Sequence, residues 1–492
     1  MTGSRTLWPK VPAAFVEKNL TGHKILGLVA AAVLYLICLS GTATVFYTDM
    51  QDWETPGLPA VTALKPEGVA AAITDARAHI ARADAGSPIY VYTPTSDFHR
   101  LTVQAGKTVR GYDGDGRFAG IASHPVTDAI TELHYDLHLP STLGFIVVGL
   151  GGVVILALVI GGFTAHPRLL KDAFLWRLNG TPRVNRADLH NRIGVWASPF
   201  HIVIALSGAL IGLSQVLTLV AAIGFYHGDT TAASAPLFGP SAVASGQGQV
   251  TPAAIVAALA TIHRDVPDAT PNFIGINAPG SGHETLDVNA LIKDRLVYGD
   301  EFHFTADGRL EAAVLLSKGP AGQQIFASLY KLHFGSFGGV WVQWAYLVLG
   351  AGLTLICTTG VDIWLLKSAQ KGRPWPRLHR VWTAFVWAAP TALAIAALVT
   401  LTAHFPYVPV FWLTIAALTL AGLAGRTYTK VSKIGRCTLA ASLLALVAAH
   451  ALRFGMLAFT AGLGVNLSLL ALAMALLVLV ARPPAAKTAS PN

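Results

Sequence analysis

Apolar residues fall in long unbroken runs separated by stretches of mixed polarity, and the runs outlast any helix in a water-soluble core. A run of about 18 or more residues with almost no charge predicts a helix that crosses a bilayer, because lipid offers the backbone no hydrogen-bonding partner. Eight such runs occur, with cores at Ile25–Phe46, Leu143–Phe163, Ile193–Val220, Val340–Leu366, Val381–Ala403, Val408–Leu423, Thr438–Leu452 and Leu457–Val480. Two longer segments, after the first and third runs, carry a different pattern. Each opens with helical spacing (Pro66–Ala83; Thr251–Arg264) and continues into strand-like pieces. These include Ile89–Tyr92, Leu101–Gln104 and Thr108–Tyr112 in the first, and Phe273–Ile276, Thr285–Val288 and Glu301–Phe304 in the second. The expected fold is an all-α membrane bundle of about eight transmembrane helices with two extracytoplasmic α+β lobes.

Composition narrows the class. Hydrophobic residues make up 53% of the 492 and charged residues 12%, about half the charge of a soluble domain. A soluble globule and a disordered chain are excluded. The three cysteines, Cys38, Cys357 and Cys437, lie in or beside the apolar runs, so the lobes hold no disulfide. The net charge of +9 is spent on orientation rather than on a nucleic-acid partner. Four segments outside the lobes hold 19 basic residues, among them Lys18, Lys24, Arg168, Lys171, Arg177, Arg183, Arg186, Lys371 and Arg373, against only Glu17, Asp172 and Asp188. They are expected in the cytoplasm together with both termini. The lobe segments carry 7 basic and 12 acidic residues, and 6 and 10, respectively. The first run lacks an exit site for signal cleavage.

The chain also repeats itself. Setting His23 on His190 aligns Gly27 with Gly194, Ser40 with Ser207 and Gly41 with Gly208; setting His138 on His333 aligns Gly144 with Gly339. Residues 1–185 and 186–370 therefore read as a tandem repeat of entry helix, external lobe and return helix, followed by four more helices.

Ionisable groups at membrane depth are functional candidates by default. Acidic residues are almost absent from the runs, which weighs against a proton-coupled transporter, and histidine is what the runs offer. His23 and His190 stand at matched entries on one side, His138 and His333 at matched entries on the other, and His201 follows His190 by three helical turns. Neutral imidazole is a usual axial ligand of haem iron, and two pairs at two depths would make an electron path across the bilayer. The expected pairing is His23 with His190 and His138 with His333, with His201 as an alternative ligand of the outer pair. No Cys-x-x-Cys-His motif is present for covalent haem, and no glycine-rich nucleotide fingerprint follows a strand.

These residues, read together, resemble a known family. Gly22-His23-Lys24-Ile25-Leu26-Gly27 with Leu39-Ser40-Gly41, Leu137-His138, Leu189-His190-Asn191-Arg192-Ile193-Gly194 with Leu206-Ser207-Gly208, and Leu332-His333-Phe334-Gly335 with Thr359-Gly360 and Trp364 are similar to the PepSY-associated transmembrane helix family. That resemblance covers about residues 15–370. It implies a bacterial inner-membrane protein of the ferric-siderophore reductase type, with PepSY-like lobes and two b-type haems held by His23, His138, His190 and His333. The implied organisation is 1–47 first helix, 48–140 lobe 1, 141–220 second and third helices, 221–335 lobe 2, 336–370 fourth helix and 371–492 four additional helices with a tail. Implied partners are a ferric siderophore or other ferric chelate, membrane lipid, and a cytoplasmic or quinol electron donor, with no nucleic acid. A redox-inactive PepSY-type binding or regulatory protein and a transporter are the competing readings. The sequence singles out no catalytic residue, because electron transfer needs no nucleophile or general base.

Overall fold

The structure, a computed structural model, describes residues 12–81, 84–165, 174, 181–239 and 247–481. The basic residues Arg168, Lys171 and Arg177, used above for orientation, lie outside the described residues.

The chain enters through α1 (Ala13–Ala43) and the short α2 (Tyr47–Glu54). The first lobe follows as α3 (Pro66–Ala78), β1 (Ile89–Tyr92), β2 (Leu101–Ala105), β3 (Thr108–Tyr112), β4 (Phe118–Ile121) and α4 (Pro125–Tyr135), and α5 (Ser141–Ala165) returns. The second unit repeats the order: α6 (Pro182–Trp196), α7 (Ser198–Gly212), α8 (Ser214–Phe225), α9 (Thr230–Phe238), α10 (Pro252–Asp265), β5 (Ala269–Asn277), β6 (Thr285–Ile292), β7 (Asp300–Phe304), β8 (Leu310–Val314), α11 (Ala321–Phe334) and α12 (Gly339–Gln370). Among the described residues four further helices follow, α13 (Pro376–Ala403), α14 (Tyr407–Ala421), α15 (Tyr428–Phe454) and α16 (Leu463–Ala481). Among the described residues seven helical segments are long and apolar enough to cross a membrane, and the bent pair α6–α7 makes an eighth. The molecule is a multi-pass membrane protein.

That bend corrects the third apolar run, expected as one helix over Ile193–Val220. α6 and α7 meet at 68°. Ser198-Pro199 lies in the first turn of a new helix, and proline lacks the N–H that would continue the preceding one. His190 and His201 consequently do not share one helix face. The rest of the apolar run is a separate helix, α8, whose Leu217, Val220, Ile223 and Phe225 are exposed.

The lobes join edge to edge. Their strands form one antiparallel sheet in the order β4-β3-β2-β1-β5-β6-β7-β8, closed in the middle by β1 against β5 with Val91 opposite Ile274. Either lobe alone would leave that edge unpaired, and unpaired strand edges invite unwanted partners. α3 and α10 lie together on one face, where Val69, Ile73 and Ala76 meet Ile255, Ala258 and Ile262 over Val91, Val103, Ile274 and Val288. Arg77 of the first lobe reaches Glu284 of the second at 2.7 Å, and the buried carboxylate also accepts the Val250 and Gly280 N–H groups.

Below the sheet α1, α5, α6–α7 and α12 form a ring: α1 packs on α5 and α12, α5 on α7, and α6 on α12. The last four helices pack on the outside of this ring and under the first lobe. An alanine-rich face of α13 (Ala388, Ala389, Ala392, Ala396) lets the helices approach closely, with Tyr35, Trp53 and Leu133 in the same cluster. A buried polar knot ties α16 and α15 to α2. Trp53 Nε1 donates to Asn466 Oδ1 at 2.9 Å, His450 Nε2 donates to the Trp53 carbonyl at 2.8 Å, and the His450 and Trp53 rings stack 4.4 Å apart.

Candidate functional site: two histidine pairs

Four imidazoles rest on the four units of the helical ring, one on each. His23 of α1 sits on α5, where its Nδ1 donates to the Leu158 carbonyl at 3.0 Å beside Gly162. His190 of α6 sits on α12, bonded through Nδ1 to Thr359 Oγ1 at 3.1 Å and facing the Ile356 backbone and Gly360. His134 of α4 sits on α1, donating to the Ile37 carbonyl at 2.9 Å over Gly41. His333 of α11 sits on α7, bonded to Ser207 Oγ at 3.0 Å and facing the Ile204 backbone and Gly208.

One local device serves all four. The carbonyl residues Ile37, Leu158, Ile204 and Ile356 each precede a glycine, Gly41, Gly162, Gly208 and Gly360, by four positions. In a helix that spacing places the glycine one turn along, directly over the carbonyl. With no side chain there, the imidazole can lie flat against the backbone. The fit is tight on the lobe side, where a Cβ on Gly41 would come within 2.5 Å of the His134 ring and one on Gly208 within 2.9 Å of His333. It is looser at the other end: 3.6 Å from Gly162 to His23 and 3.4 Å from Gly360 to His190.

These contacts fix the proton. A carbonyl can only accept, so His23 and His134 carry hydrogen on Nδ1. The Ser207 and Thr359 hydroxyls already donate to carbonyls of their own helices, Val203 at 2.6 Å and Leu355 at 3.0 Å, so they accept from His333 and His190. Among the described residues Nε2 has no hydrogen-bond partner in any of the four. A neutral imidazole with Nδ1–H anchored and Nε2 bare is the form that binds a metal.

The rings face one another in pairs. His23 and His190 have centroids 6.4 Å apart with planes at 83°, and His134 and His333 are 6.0 Å apart at 24°. Two metal–nitrogen bonds of about 2 Å each, plus the reach from nitrogen to ring centre, require about 6 Å between centroids. Both pairs meet that requirement. Burial, with the facing His134 ring, holds His333 neutral, its pKa pushed down to about 3. Thr42, one residue past Gly41, lies 18 residues from Lys24, one residue past His23; the two levels on α1 are thus separated by about 27 Å along the helix.

The expected pairing of His138 with His333 is corrected. His138 donates from Nε2 to the Ala129 carbonyl at 2.7 Å and accepts from Trp412 Nε1 at 3.1 Å, so neither nitrogen is free. It pins a turn in which Leu137 and His138 both hold φ near +57°, the left-handed region. The second unit makes the corresponding turn with Gly335 at φ +70°, where no pin is needed. His134 takes the place facing His333. The signal was present in the sequence: Leu133-His134-Tyr135 matches Leu332-His333-Phe334, both in the last turn of the helix that closes a lobe. His201 does not face the outer pair; it lines the cavity of the inner one, with Nε2 buried and unpartnered.

That cavity, about 350 Å³, lies among all four units of the ring and is lined by His23, His190, Gly27, Gly162, Gly194 and Gly360. Among the described residues no cluster of three or more His, Cys, Asp or Glu side chains could hold a bare metal ion. The arrangement suits a metal that brings its own equatorial ligands. A second, wider cleft of about 1990 Å³ runs between the sheet and the lobe-side ends of the helices. Tyr330, Lys331 and Phe334, which flank His333 on α11, open into it.

The family described as the PepSY-associated TM region matches residues 20–367. The chain belongs to this family. The match takes in all four histidines of the two pairs, both lobes and the helical ring, and stops at the end of α12. An uncharacterized protein of Pseudomonas aeruginosa is 25% identical over 256 residues, which is 50% of this chain and 65% of that relative.

Proposed function

We propose that this family member is an electron carrier of the bacterial inner membrane that holds two b-type haems and reduces a ferric chelate on the side of the lobes. The observation that supports it is the pair of histidine pairs, each with Nδ1 anchored, Nε2 bare and a spacing that admits one metal atom. Haem bound by two neutral imidazoles from His23 and His190, or from His134 and His333, would supply a one-electron couple suited to transfer rather than to oxygen chemistry.

The chain's own residues do the rest. The Ile37, Leu158, Ile204 and Ile356 saddles hold the imidazoles in one tautomer and one rotation. Leu34, Ile155, Leu158 and Leu353 give the inner cavity an apolar wall. On the lobe side the wide cleft receives the chelate beside Phe334 and Tyr330. Asp49, Asp52, Asp97, Asp128, Asp268 and Asp294 line it against Lys107, Lys293, Arg295 and Lys331, a balance that suits a neutral or cationic chelate better than an anionic one. Fe(III) in the chelate gains one electron to become Fe(II), which hard oxygen donors of a siderophore hold far more weakly, and the iron is released. Electrons arrive from a quinol or a cytoplasmic donor on the side of Lys24 and Lys367, with both termini cytoplasmic and the lobes periplasmic.

The test is direct. Full-length protein purified from haem-replete cells is expected to be red, with a low-spin bis-imidazole spectrum and two haems per chain, and after reduction to be reoxidised by a ferric hydroxamate. A colourless, folded preparation would overturn the proposal.

A further inference from the structure

The inner cavity contains a third histidine that the pairing leaves unused. His201 is 1% exposed, and its Nε2 has no hydrogen-bond partner although no solvent reaches it. A desolvated imidazole nitrogen with no partner is costly, and buried groups of this kind are rare without a reason. His201 lines the same cavity as His23 and His190, one helical turn before Ala205, which packs with Leu34, Ile155 and Leu353 at the mid-span end. Along α12 Leu353 lies seven residues from Gly360, placing this end about 10 Å from the level of the inner pair.

The repeat shows that this polarity is particular to one half. Aligning His23 with His190 sets Leu34 opposite His201, and both residues line the cavity. A leucine therefore fits at the equivalent place, and packing alone does not call for a histidine. The α6–α7 bend carries His201 away from the face of His190, and its ring contact is with Phe200 rather than with another imidazole.

We propose, resting on the haem reading above, that His201 is a positioning residue of the inner site. It does not ligate the iron; its unspent Nε2 makes the polar contact from the mid-span end of the cavity to the macrocycle held between His23 and His190. That contact sets the reduction potential of the inner site apart from that of the outer one. Hydrogen bonding and dipoles around a haem are established controls of its potential, and in a low-dielectric interior one dipole weighs heavily.

The experiment compares full-length wild type, His201→Leu and His201→Gln by haem-to-protein ratio, spin state and spectroscopic redox titration. The expected result is two low-spin haems per chain in all three, one of the two midpoint potentials displaced in His201→Leu with the other unmoved, and partial return of the displaced one in His201→Gln. Loss of a haem, or a high-spin signal, in both variants would make His201 an axial ligand and overturn the proposal. Two unmoved midpoints in His201→Leu would overturn it as well and reduce the residue to filling. A wild type without haem defeats the parent reading, which a loaded wild type with unmoved variants leaves standing.

Discussion

The two histidine pairs do one geometric job by different means. The inner pair stands on α1 and α6, helices of the membrane ring, and its position depends on helix packing alone. The outer pair stands on the last turns of α4 and α11, the short helices that close the lobes, and its spacing depends on the sheet above as well. The inner rings are nearly perpendicular and their glycine saddles roomy; the outer rings are nearly parallel and their saddles tight. The difference teaches that a pair of facing side chains can be held loosely where rigid helices carry it. It must be clamped where its carriers hang from a second domain.

The comparison breaks most sharply at the histidines. His134→Ala or His333→Ala is expected to remove one haem of two and leave the inner one, and His23→Ala or His190→Ala the reverse, read as haem per chain. His138→Ala is expected to keep both, since its two nitrogens are spent on Ala129 and Trp412. Loss of a haem in His138→Ala alone would restore the pairing first expected from the sequence.

A finer test uses alanine at the saddles. Gly41→Ala and Gly208→Ala force a Cβ into the outer rings and should lower outer haem occupancy several-fold. Gly162→Ala and Gly360→Ala meet their rings at ordinary or slightly tight contact and should leave inner occupancy near wild type. Equal losses at both ends would remove the distinction between clamped and loose sites.

The smallest effect is expected at Trp412→Phe, which deletes the hydrogen bond from α14 to His138 while keeping the ring. A neutral buried bond contributes about 1 kcal/mol. The variant should therefore unfold slightly earlier in a thermal scan and keep both haems. Loss of the outer haem would show that the last four helices support the outer site directly.

Much of this was legible in the chain. Apolar runs locate the spans because lipid demands continuous helices, and the Ser-Gly and Thr-Gly pairs at Ser40, Ser207 and Thr359 mark three of the four saddles. Which imidazole rests on which glycine was not legible, since that is settled by contacts between helices far apart in sequence. Leu137-His138 and Leu133-His134 each offer a Leu-His dipeptide; only the aromatic residue after His134, and its place at a helix end, tell them apart. The bend at Ala197 could be read from Ser198-Pro199, but a continuous run of apolar residues masks it. The β1–β5 junction leaves no sequence mark, because it joins two strand edges that pair equally well with solvent or a partner.

That junction has a further meaning. β1 and β5 are the first strands of their lobes, and they pair antiparallel, Ile89 with Ile276 through Tyr92 with Phe273. Equivalent strands laid side by side in opposite directions are what two identical subunits make around a two-fold axis. The polypeptide thus carries the symmetry of a homodimer within one chain. Fusing the halves frees each from having to match the other, so that a single position can be leucine in one copy and histidine in the next, and a symmetric scaffold can acquire a direction.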